Sequence, residues 1–139
     1  KFIPMAKNAT TMKELTRAEE EVMQILWQLE KGFVNDLLEQ YPEPKPAYNT
    51  ISTIIRILEK KGFVGHISFG KTHEYYPLMS KNEYTRQYMG HVVKGYFDNS
   101  YKKVVSFFTG NENLSVKEME EIRRIIDEQI AQRKAQQDE

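Results

Sequence analysis

At Gly62 the periodicity of this chain changes, and few architectures accommodate the change. Before it lies YNTISTIIRILEKKG, Tyr48 to Gly62. Read as a helix, it places Ile51, Ile54, Ile55 and Leu58 at i, i+3, i+4 and i+7, a single apolar stripe that has to be buried. After it, FVGHISF and THEYYPL are short, rich in aromatic and β-branched residues, and separated by Gly70-Lys71. That pattern has a period of two and predicts a β-hairpin.

Two further helices precede the stripe. Thr16-x-x-Glu19 has the form of a capping box and opens a helix through Leu29, with Val22, Ile25, Leu26 and Leu29 facing inward. Met23 and Trp27 flank that face as packing side chains. Gly32 breaks the chain, and Val34, Leu37, Leu38 and Tyr41 mark a second short helix. YPEPKP ends it, because three prolines in five residues forbid helix and make a stiff turn. The fold class predicted is therefore mainly α with a small β-hairpin: a winged helix-turn-helix domain over residues 15–79, followed by a helical dimerisation region over residues 80–139. Residues 1–14 lack periodicity and read as a disordered tail or a remnant of expression.

The polar side of the third helix suggests a partner. Asn49, Thr53, Arg56 and Lys60 form one row with Thr50 and Ser52 on its shoulders, and the row holds no carboxylate. Amide, hydroxyl and guanidinium groups of this kind read base edges and phosphates of double-stranded DNA, whereas a solvated face usually mixes charge signs. Net charge is zero over the whole chain, but residues 44–73 carry Lys45, Arg56, Lys60, Lys61 and Lys71 against Glu59 alone, a local +4. In a winged helix the third helix enters the major groove and the wing lies along the phosphates, which puts Lys71 at the wing tip. The bland alternatives are a solvated helix face and a solvated turn lysine. A rival of another class is a winged helix serving as a protein-interaction module without DNA binding, which would carry exposed apolar anchors on that face.

Other functions find little support. The chain has no cysteine, and no apolar run approaches the roughly 20 residues that cross a bilayer, so direct membrane insertion is not expected and a cytoplasmic protein is. His66, His73 and His91 lack metal-ligand spacing. No G-x-S-x-G, H-E-x-x-H or phosphate-binding glycine loop is present, so neither an enzyme nor a cofactor is implied.

The last third is helical and rich in apolar residues. Ser80-x-x-Glu83 caps a helix that Gly90 and Gly95 are expected to loosen. A second helix, from about Asp98 to Phe108, carries Tyr101, Val104, Val105 and Phe108 on one stripe. Ser115-x-x-Glu118 opens a last helix with Met119, Ile122, Ile125, Ile126 and Ile130. Three short helices cannot easily bury so many aromatic and aliphatic groups, and a second copy of the chain, a homodimer, would cover them.

Three stretches carry a family resemblance: LTRAEEEVMQILWQL, YNTISTIIRILEKKGFV and GKTHEYYPLMSKNEY. With the Leu114-Ser115-x-x-Glu118 helix, they resemble the penicillinase repressor family, the BlaI/MecI-type winged-helix repressors, over residues 15–130. The resemblance implies a dimeric transcriptional repressor on a palindromic operator, and it places Asn49, Thr50 and Thr53 at base-reading positions. It further implies release through a membrane sensor-protease system linked to antibiotic resistance. The matching segment is KVVSFF, with the candidate scissile bond between Ser106 and Phe107. Ser106 stands where the family usually has asparagine. The cysteine motif of the copper-responsive branch is absent.

Overall fold

The structure, a computed structural model, describes residues 14–110 and 113–138. The proposed N-terminal tail lies outside the described residues except for Glu14. Helix α1 spans Arg17–Leu29 and starts at its cap: Thr16 Oγ1 accepts from Glu19 N–H, and Glu19 Oε1 accepts from Thr16 N–H at 2.9 Å. This exchange satisfies backbone donors that a helix start leaves unpaired. Helix α2, Val34–Glu39, opens with the Asp36 carboxylate accepting from Phe33 N–H at 2.9 Å. Helix α3 spans Tyr48–Lys60.

Strands β1 (Val64–Phe69) and β2 (Thr72–Pro77) pair antiparallel, with Val64 opposite Pro77 and Phe69 opposite Thr72. Gly70 has φ +64° and Lys71 does not have positive φ. That is the pattern of a type II′ turn, whose first central position favours glycine. Within the pleat, Gly65 faces Tyr76, and a Cβ on Gly65 would come within 2.8 Å of the tyrosine oxygen. The glycine makes room for the ring.

The α3 stripe is buried as its spacing predicts. Ile51, Ile55 and Leu58 join Val22, Met23 and Leu26 of α1, Leu37 of α2, and Phe63, Val64 and Tyr75 of the wing in one core, with Ile54 at its margin. Trp27 packs there too, its Nε1–H donating to Met79 O at 2.9 Å. One contact has no counterpart in the sequence patterns. Gly32 pairs with Tyr75 through two backbone hydrogen bonds of 2.9 and 2.8 Å, adding a short third rung to the wing.

The chain divides into two compact units, residues 1–91 and 92–139. The first therefore runs beyond residue 79, where the sequence reading drew its boundary. Tyr84 belongs to its core, with ring centroids 5.9 Å from both Trp27 and Phe63 and its hydroxyl accepting from Leu15 N–H at 3.3 Å. Helix α4, Lys81–Tyr96, runs unbroken through Gly90 and Gly95, contrary to the expected loosening. Helix α5 spans Tyr101–Thr109 and starts later than expected. Asp98 and Asn99 adopt φ of 52° and 59°, outside the helical region, and Ser100 Oγ caps the helix by accepting from Lys103 N–H at 3.1 Å. Helix α6, Val116–Gln137, begins at the predicted Ser115–Glu118 capping box.

Candidate nucleic-acid interface

Every turn of α3 contributes to its outer surface. Asn49, Thr50, Thr53, Arg56 and Lys60 are exposed, and Ser52 is half-buried. Ile57, outside the buried stripe, is 41% exposed and falls next to Thr53 on the helical projection. An aliphatic group there suits a thymine methyl.

Arg56 is held in place by its own helix. Its Nε donates to Ser52 O at 3.2 Å and its Nη2 donates to Ser52 Oγ at 3.3 Å. Tyr48, Ser52 and Arg56 follow one another at i+4 spacing and line an open cleft of about 560 Å³. Lys71, Thr72, His73 and Tyr75 of the wing line it as well, and Phe33 to Asp36 complete it. Sequence reasoning missed this row because it treated Ser52 as a shoulder and left out Tyr48. A projection that included Tyr48 aligns all three.

Two lysines expected to meet phosphates are engaged within the protein. Lys45 Nζ donates to Leu38 O, Glu39 O and Tyr41 O at 3.0, 3.2 and 2.9 Å, and so caps the carbonyl end of α2. Lys61 Nζ lies 2.8 Å from Glu19 Oε1. Burial pushes the Glu19 carboxyl up. The hydrogen bond from Lys61, those from Thr16 and the Lys61 charge outweigh that effect and hold the group below its ordinary range. The pair joins the start of α1 to the end of α3.

Glu59, the carboxylate of the basic stretch, is drawn toward the wing, with Oε2 2.5 Å from His66 Nδ1. His66 and His73 stack with ring centroids 4.2 Å apart, and His73 Nδ1 lies 3.2 Å from Ser68 Oγ. Among the described residues no group of three or more potential ligands is placed to hold a metal ion. Tyr75 lies beneath these groups. Burial, then the charge of Glu59, pushes its hydroxyl up, while Arg56 acts in the opposite direction.

In the second unit, Tyr101, Val105, Phe108, Ile122 and Ile126 are exposed and Val104 is half-buried. Ser106 and Phe107 are exposed inside α5, and Phe107 packs edge-on against Phe97 and Phe108 at centroid distances of 5.5 and 5.4 Å.

Comparison with known proteins decides the ancestry of this arrangement. The penicillinase repressor family model matches residues 15–128. The chain belongs to the penicillinase repressor family. It is similar to the methicillin resistance regulatory protein MecI of Staphylococcus aureus strain N315, with 30% identity over 114 residues covering 81% of this chain and 93% of that protein. The MecI protein of Mammaliicoccus sciuri is 29% identical over the same length. The penicillinase repressor of Bacillus licheniformis is 24% identical over 116 residues, covering 83% of this chain and 91% of that protein. This is a family of transcriptional repressors and not of enzymes. The chain is accordingly a DNA-binding transcriptional repressor with a winged helix and a helical C-terminal region, and the protein-interaction alternative gives way. Among the described residues no helix is long and apolar enough to cross a membrane.

Proposed function

We propose that this repressor acts as a homodimer on a palindromic operator, each copy placing α3 in the major groove and its wing over the flanking phosphates. The observation that carries the reading is the exposed, carboxylate-free surface of Asn49, Thr50, Thr53, Arg56 and Lys60 on a helix fixed by its opposite, buried face. Asn49 suits paired hydrogen bonds to adenine, and Thr53 offers a methyl and a hydroxyl to a neighbouring base. Arg56, Lys60 and Lys71 act on phosphates; Lys45 and Lys61 support the fold beside them. Two copies join through the exposed apolar residues of α5 and α6, which makes the second half-site contact intramolecular. The genes controlled are of the antibiotic-resistance kind named in the relatives.

Release by a sensor protease at Ser106–Phe107 is part of the same proposal. That bond lies within helix α5, so cleavage requires local unwinding, as proteases act on extended chain. Mass analysis of fragments after exposure to an activated sensor protease tests it; an intact chain refutes it.

The DNA reading is tested by selecting genomic fragments with the purified protein and titrating the best duplex and its single-base variants. Asn49→Ala and Thr53→Ala are expected to relax preference at defined positions, each by about 1–3 kcal/mol. Uniform weakening with an unchanged preference profile would assign both residues to positioning and not to base reading.

A further inference from the structure

The cleft between α3 and the wing has a chemistry of its own. One cation comes from each side, Arg56 from α3 and Lys71 from the wing tip, and Ser52, Thr72 and His73 add polar groups between them. Of the nearby carboxylates, Asp36 lines the cleft with its Oδ2 accepting from Phe33 N–H, and Glu59 Oε2 pairs with His66. The cleft is open and its lining is more polar than apolar, which suits an extended anionic strand passing through better than an enclosed small molecule.

Its width is fixed by the fold. The Gly32–Tyr75 backbone pair ties β2 to the start of α2. Phe33 and Phe69 meet edge to face at 5.8 Å, tying the same segment to the wing tip. The Glu59–His66 pair ties α3 to β1. Arg56 is restrained in turn by its two hydrogen bonds to Ser52. A guanidinium held in this way has less freedom to lose when it binds an anion.

We propose that this cleft is a seat for one DNA backbone phosphate, gripped by Arg56 of α3 and Lys71 of the wing at once. The inference rests on the DNA-binding reading and deepens it. Groove-reading helix and wing do not contact separate stretches of backbone; they converge on a single phosphate, and that phosphate sets the depth and register of α3 in the groove. His73 donates to its remaining oxygen, and the Tyr48 ring packs against the adjoining sugar.

The test scans the best selected duplex with single methylphosphonate substitutions, each of which removes one phosphate charge, against the wild type, Arg56→Ala, Lys71→Ala and the double variant. Arg56 and Lys71 are both exposed, and thermal unfolding checks that each variant remains folded. In the wild type one substitution per half-site is expected to weaken binding about tenfold or more. Each single variant loses much of its sensitivity at that same position, the double variant loses nearly all of it, and each lost contact lowers the slope of log K against log salt by about 0.9. Arg56→Lys, which keeps the charge without the guanidinium fork, recovers only part of the sensitivity. If the two variants lose sensitivity at different phosphates, the shared seat is overturned while the DNA reading stands. If the wild type binds no duplex, the DNA reading falls and the seat with it.

Discussion

The two units of this chain treat their apolar residues in opposite ways. In the first, Met23, Leu26, Leu37, Ile55 and Leu58 have no measurable exposure, and the elements around them supply what each needs to be covered. In the second, neither α5 nor α6 has a buried residue, while Tyr101, Phe107, Ile122, Ile125, Ile126 and Ile130 are all exposed. Helix α6 is well begun by its Ser115–Glu118 box, yet local capping contributes only about 1 kcal/mol and cannot replace a core. Helical structure and a completed interior are thus separate achievements. The first unit has both, whereas α5 and α6 of the second are formed helices without a buried face.

Matched substitutions expose that difference most strongly. Ile55→Ala removes side-chain volume from a closed core and is expected to cost about 2–5 kcal/mol, at any protein concentration. Ile126→Ala at an exposed site should leave the first unit's unfolding unchanged and shift only a concentration-dependent association equilibrium. Chemical denaturation at several protein concentrations separates the two; a concentration-independent loss of the same size at Ile126 would break the comparison.

Removing the chain after Ser106 comes next in size. The truncated protein is expected to be monomeric, to retain a folded first unit, and to lose a factor of about 10² or more in operator affinity through the loss of avidity. Sedimentation and duplex titration read both effects. A truncated chain that still pairs would place the interface elsewhere.

The smallest effect tests how the first unit is fastened. Glu19 is nearly buried against Lys61, whose side chain is 32% exposed, so solvent screening reduces what the pair contributes. Glu19→Gln is expected to cost about 1–2 kcal/mol at neutral pH. The folded carboxyl lies below its ordinary value of 4.5, so its stabilisation is fully present above that value and is lost as pH falls through the lower folded value. The gap between wild type and variant should close on acidification over that window. A gap independent of pH would mean that the charge does not matter.

The local features of the fold were legible because they are written in short spacings. Thr16 with Glu19, the stripe from Ile51 to Leu58, the Gly70-Lys71 turn and Ser115 with Glu118 all act within a few residues of one another. Distant pairings were not. The bridge between Gly32 and Tyr75 involves one residue on each side and leaves no periodic trace, and the partner of Lys61 is 42 residues away in sequence. The same limit applied to the candidate interface. Composition identified the basic stretch, but it could not distinguish lysines that serve the fold, Lys45 and Lys61, from cations that face the cleft. Gly90 and Gly95 were overweighted: a glycine costs a helix interior only about 1 kcal/mol, which the rest of α4 outweighs.

The two-residue turn at Gly70-Lys71 also restricts how wings of this type can change in length. Adding one residue to each strand would advance the tip by about 3.3 Å and turn the tip over, exchanging the side that carries His73 with the side that carries Phe69. Adding two to each strand restores the facing. Viable wings therefore come in discrete sizes, with tips about 6.6 Å apart, and a lineage that lengthens this hairpin would skip the intermediate size.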